Sequence, residues 1–202
     1  MRAVDYFEAY LDDFDKIVIF FSKESYDGVS RQFYLRDDFG NIDELQILSV
    51  EPLTTHIKYT CRVLHEIEIG REYQVLHQFA RSTILQYSYI VKRPRFDAMF
   101  AYDGNDLGAN YTPAATTFVI WAPTAAKVCL EIQRKDQPEI HMMEKSEKGT
   151  FRLTLKGDYE LAKYVYHVRV NGIWNESIDP YGKSSTINST RSIVVDLSKI
   201  GR

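Results

Sequence analysis

The stretch TTFVIWAPTAAKVCLEI, residues 116–132, holds the side chain best suited to ligand chemistry. Two apolar runs, 118–121 and 128–132, are separated by Ala-Pro-Thr-Ala-Ala. Pro123 has no N–H to give a sheet, so it belongs at a strand end or edge, and Trp121 stands on the last rung before a turn. An indole in that place serves as packing, as a docking surface or as a platform for a flat ligand, and its position alone does not choose. The other candidates lack mates. Asp179 lies in Asp179-Pro180-Tyr181, where Asp before Pro is a turn former, and Glu176 is a lone loop carboxylate without an acid/base partner. His56, His65, His77, His141 and His167 are scattered, and His65-Glu66 is not followed by a second His at the step a zinc site needs. There is no GxSxG, no phosphate-cradling glycine loop and no Cys–His nucleophile pattern. The sequence therefore predicts no catalytic residue, no metal and no cofactor.

Composition narrows the class. The chain has 202 residues, 45% hydrophobic and 13% aromatic, enough to bury a core. This length suits one large domain or two of about 100 residues each. A net charge of −3 gives no electrostatic reason to expect nucleic acid. The one basic cluster, Lys92-Arg93-Pro94-Arg95, reads as a linker. Cys61 and Cys129 have no CxxC spacing and read as free thiols of a reducing compartment. The first sixteen residues carry carboxylates throughout and no long apolar run, so they do not read as a secretory signal, and no run is long enough to span a bilayer. The glycosylation triplets at Asn110, Asn175 and Asn188 are then accidental. A cytoplasmic protein that meets no membrane is expected.

The elements that must position these residues are strands. Val4, Phe7, Leu11 and Phe14 recur at helical spacing, with Asp5, Glu8, Asp12 and Asp13 mostly on the other side, which predicts one short N-terminal helix. From Lys16 the period changes to two: a run at 17–21, then Ile57, Tyr59, Cys61 and Val63, then Tyr73, Val75 and His77, then 84–90. Turn signals between them predict a β-sandwich for residues 16–92. Lys92-Arg93-Pro94-Arg95 and the stretch at 102–108 break the pattern, placing a boundary near 93–100. Alternation resumes at Val128, Leu130 and Ile132, at Phe151, Leu153 and Leu155, and at Tyr164, Tyr166, Val168 and Val170, with a hairpin signal at Asn171-Gly172. The expected architecture is all-β: two tandem immunoglobulin-like sandwiches, residues 1–95 and 96–202, with one short helix at the start.

Three motifs in order carry a resemblance: YDGNDLGANYTP (102–113), TTFVIWAPTAAKV (116–128) and YVYHVRVNGIWNESIDPYGKSSTINSTRSIVVDL (164–197). The second half resembles the amino-terminal part of bacterial type I pullulanases, debranching enzymes of the α-amylase superfamily. Its WAPTA and DPY motifs resemble the isoamylase N-terminal domain, or carbohydrate-binding module family 48. Residues 1–95 are similar, less specifically, to the smaller β-domain that precedes it there. In that family a (β/α)8 barrel with the catalytic carboxylates follows. This sequence ends at Arg202, where such a barrel is expected to begin, and lacks both the pullulanase signature Tyr-Asn-Trp-Gly-Tyr-Asp-Pro and a strand–helix alternation.

The resemblance implies a non-catalytic region that supports the barrel of an enzyme cleaving α-1,6 branches of α-glucans, with α-glucan and that barrel as partners. A stand-alone glucan-binding adaptor is the alternative. Glycogen-binding relatives use two tryptophans on one surface, and both positions are tryptophan here, Trp121 and Trp174. His167 falls where those relatives carry a basic partner, and Ser192 about where they carry an asparagine. The competing reading, and the favoured one, makes Trp121 a core or interface residue and Trp174 a loop anchor, because the module often packs against its barrel. Asp179, Pro180 and Tyr181 are then read as shaping the end of the module and docking the barrel.

Overall fold

Phe7, Ala9 and Leu11 are buried while Glu8 between them is exposed, so the first segment obeys a period of two. The computed structural model describes residues 7–24, 30–78, 81–135 and 137–199, and in it residues 7–13 are a strand rather than the expected helix. Val4 and Asp5 lie outside the described residues. Phe7 and Leu11 are four apart, a step that fits both a helix face and a strand face. Ala9, small and midway between them, decides for the strand. Phe14 lies beyond it, in the turn that leads to the next strand.

In chain order the elements are β1 (Phe7–Asp13), β2 (Lys16–Ser22), β3 (Phe33–Arg36), β4 (Ile42–Glu44), β5 (Gln46–Pro52), β6 (His56–Arg62), β7 (Gln74–His77), β8 (Ser82–Gln86), α1 (Pro94–Phe100), β9 (Gly108–Tyr111), β10 (Ala115–Trp121), β11 (Lys127–Gln133), β12 (Glu139–Met142), β13 (Glu144–Lys145), β14 (Thr150–Lys156), β15 (Lys163–Val170), β16 (Ile173–Ser177) and β17 (Ser192–Ile193). The chain divides into two compact units, Met1–Met99 and Phe100–Arg202. No helix among the described residues is long and apolar enough to cross a membrane.

In the first unit the strands follow one path, β4-β3-β7-β8-β1-β2-β6-β5, antiparallel except where β8 runs parallel to β1. The path folds over on itself. Phe33 of β3 lies 5.0 Å from Tyr59 of β6, ring centroid to centroid, although four strands separate them along the sheet. Phe7 and Phe21 stack at 4.9 Å inside the same cluster. The basic cluster expected to be a linker is instead fastened down. Pro94 opens α1, where its missing N–H costs nothing. Arg93 donates to Asp12, Arg95 donates to both oxygens of Glu66, and the Arg95 guanidinium lies 4.2 Å from the Phe14 ring centroid.

The second unit is an immunoglobulin-like sandwich of two antiparallel sheets, β13-β14-β10-β9 and β12-β11-β15-β16, with β17 paired to β15. Phe118 and Ile120 of β10 meet Val128, Leu130 and Ile132 of β11 and Tyr164 and Tyr166 of β15 in the core. The ring centroids of Phe118 and Tyr164 are 5.1 Å apart across the two layers. Asn171 and Gly172 both have positive φ, 50° and 74°, the requirement of a type I′ turn, and they join β15 to β16. The Pro123 turn is seated against Gly149, whose φ is +74°. A Cβ there would fall 2.5 Å from the Pro123 Cβ. The resulting close approach holds the turn after β10 against the start of β14.

Candidate functional site

Register decides which way each tryptophan points. Phe118 and Ile120 face the core, so Trp121 belongs to the opposite side of β10, with Thr117 and Val119. Its edge is already engaged: the indole N–H donates to the carbonyls of Phe100 and Lys148, at 2.9 and 3.0 Å. Trp174 is paired with Arg169 across β16 and β15, and both lie away from the core side carrying Tyr164, Tyr166 and Val168. The two tryptophans sit at the same end of the sandwich, because β10 leads through residues 122–126 to Lys127, and Lys127 is paired with Arg169. They nevertheless lie on different sheets and face outward on opposite sides. The common surface implied by the resemblance is therefore not formed by this pair.

What Trp174 does share is the outer face of the β12-β11-β15-β16 sheet. Trp174 is 43% exposed, with the Arg169 guanidinium 5.8 Å from its ring centroid. On the same face of β15, two residues on, His167 lies with Nε2 2.8 Å from Glu131 Oε2. Glu131 accepts a second hydrogen bond, 2.6 Å, from Arg191. These donors, His167 first and then Arg191, hold the Glu131 carboxyl below the usual carboxylate range. The row offers an apolar plate, two guanidinium groups, an imidazole and a fixed carboxylate, a set that can stack on a flat ring and exchange hydrogen bonds with hydroxyls around it. Nothing in the sequence singles out Glu131 or Arg191. Glu131 looks there like any solvent-facing charge of an alternating strand, and its partner is sixty residues away.

Ser192 does not join this row. It is buried, and its hydroxyl accepts from the backbone N–H of Asp179 at 3.1 Å. Asp179 is likewise committed to its own domain: it is 5% exposed, and its carboxylate accepts from the Tyr164 hydroxyl at 2.7 Å and the Tyr181 N–H at 2.9 Å. Burial raises its pKa against the pull of these donors. A carboxylate so enclosed cannot itself present a docking contact. Pro180 and Tyr181 remain exposed, and the Tyr181 carbonyl sits where a Cβ on Gly108 would come within 2.9 Å, so this turn is packed onto the start of β9.

Residues 7–92 match the pullulanase N1-terminal domain, and residues 106–182 match carbohydrate-binding module 48, the isoamylase N-terminal domain. The chain carries the amino-terminal accessory domains of pullulanases. It is 29% identical to the pullulanase of Bacillus subtilis (strain 168) over 190 residues, covering 94% of this chain and 26% of that protein. A crystal structure of pullulanase complexed with maltotriose, from Anoxybacillus sp. LM18-11, superposes with a TM-score of 0.90 at 39% identity, over 97% of this chain and 28% of that one. The type I pullulanase of B. subtilis complexed with maltose gives a TM-score of 0.88 at 28% identity, with the same shares covered. This chain thus spans about a quarter of these relatives, and the part matched is the non-catalytic one. Trp174, His167, Glu131 and Asp179 all fall in the chain's module 48 domain or within its matched limits, whereas Arg191 and Ser192 lie just past them.

Proposed function

We propose that the outer face of the β11-β15-β16 sheet binds α-glucan, on behalf of a cytoplasmic pullulanase that cleaves α-1,6 branches. The observation that carries this reading is the exposed Trp174 ring beside Arg169, continuous with the His167–Glu131–Arg191 row. A glucosyl ring has a flat C–H face bordered by hydroxyls, which matches a plate flanked by donors and acceptors. Solved relatives complexed with maltotriose and with maltose support the same ligand class. In this reading Trp174 is the platform, and Trp121 braces the end of β10 through its two carbonyl contacts. The catalytic barrel of the parent enzyme would meet the exposed Pro180 and Tyr181, with Asp179 holding their turn in shape from within.

Calorimetric titration with maltoheptaose tests the platform. Trp174→Ala is expected to weaken binding by about tenfold or more, roughly 1.4 kcal/mol, while Trp121→Phe leaves affinity within about twofold. Equal affinities for the wild type and the Trp174→Ala variant would remove the proposal.

A further inference from the structure

Beyond the tryptophan end, the same sheet face runs into a cavity of about 530 Å3. Its polar lining includes Gln133, Lys163, Thr186, Asn188, Thr190 and Arg191. Two features set this lining apart. It holds two cations and no carboxylate among the described residues, in a chain whose net charge is −3. Its cations differ in how they are engaged: Lys163 makes no ion pair with any described residue, whereas Arg191 is paired with Glu131 through Nη2 and keeps a buried Nη1 without a hydrogen-bond partner among the described residues. The wall itself is well formed. The Thr186 hydroxyl accepts from the backbone N–H groups of Thr190 and Arg191, and Ser185 is bridged to Ser192, so the 185–191 turn has a defined shape.

A neutral glucan needs hydroxyl partners but gains nothing from an unpaired lysine beside a guanidinium. Lys163 stands on the outward side of β15 with His167 and Arg169, six residues from Arg169, a span of about 20 Å in a strand. We propose that this cavity receives the phosphate group of a phosphorylated α-glucan, with Lys163 and Arg191 binding the ester dianion and the amides and hydroxyls holding the sugar that carries it. This rests on the glucan reading of the same face. No covalent step is involved, and the phosphate stays on the sugar.

The test compares three probes at low salt: maltoheptaose, maltoheptaose bearing one phosphate monoester, and inorganic phosphate. The phosphorylated sugar is expected to bind about tenfold more tightly than the neutral one, with the preference falling as salt rises. Lys163→Gln, an exposed substitution, is expected to abolish that preference while leaving the affinity for neutral maltoheptaose unchanged. Equal affinities for the two sugars would overturn the proposal. So would a preference that survives in Lys163→Gln, or inorganic phosphate binding as tightly as the phosphorylated sugar, which would make this a site for the free anion. The two readings also separate. If Trp174→Ala alters neither sugar while Lys163→Gln still removes the preference, the platform fails and the anion site stands.

Discussion

Asp179→Ala is expected to lower the unfolding free energy of the second unit by about 3 kcal/mol, read from the midpoint of urea denaturation. The Asp179 carboxylate is the acceptor for the Tyr164 hydroxyl and the Tyr181 backbone N–H, in a site only 5% exposed. Alanine leaves a buried phenol and a backbone donor without their acceptor, and water has little access to replace it. Asp179→Asn is the control. Its side-chain oxygen still accepts from the backbone N–H, and the Tyr164 hydroxyl can turn to accept from the amide, so a loss of about 1 kcal/mol or less is expected. The pH dependence has a fixed sign. Burial raises the folded-state pKa of Asp179 above its unfolded value of about 3.9. The native state therefore holds the proton more firmly than the unfolded chain does. This favourable contribution is complete below about pH 3.9, and it is lost as pH rises through the folded pKa. Relative to Asp179→Asn, the wild type should be at its most stable near pH 4 and less so at pH 8. A gap that widens in favour of the wild type with rising pH would contradict the buried-carboxyl account.

Phe21→Ala should cost the first unit about 4 kcal/mol. The Phe21 ring is fully buried and touches four rings among the described residues: stacked on Phe7 at 4.9 Å, and angled against His77 at 4.8 Å, Phe33 at 5.7 Å and Tyr59 at 6.2 Å. These partners come from β1, β7, β3 and β6, so the cavity left by truncation would border several strands at once and could not be filled by the shift of one. The loss combines transfer of the ring with an unfilled void. Leu64→Ala, at a side chain 71% exposed, should change stability by less than about 0.5 kcal/mol in the same assay. A cost below about 1 kcal/mol for Phe21→Ala would mean that the ring cluster is not the fastening between the two ends of the strand path.

Residues that alternate cleanly announced their strands: Val128, Leu130 and Ile132 face inward as the pattern requires, and Asn171-Gly172 makes its hairpin turn. Residues 7–13 are a strand although their spacing also fits a helix, because Phe7 and Leu11 satisfy both periods. The faces of the tryptophans were hidden for a different reason. Residues 118–121 are all apolar, so the sequence does not say which alternate pair looks into the core. Only the partner strands fix Phe118 and Ile120 inward and leave Trp121 outside. Trp174 and His167 were reachable through the resemblance. Glu131 and Arg191 were not, because an ion pair between residues sixty apart has no local signature and exists only once β11 and the 185–191 turn are brought side by side. The enclosure of Asp179 was equally invisible, since Asp-Pro reads as a surface turn until Tyr164 is placed beneath it.

The opposed orientation of the two indoles has a spectroscopic consequence. Each ring emits from its own surroundings: Trp121 with its N–H held by two carbonyls, Trp174 with its plate turned to water beside a guanidinium. Any quenching or blue shift caused by a saccharide on the outer face of β15 would come from Trp174, over a constant contribution from Trp121. The native chain thus carries its own reporter and needs no added dye.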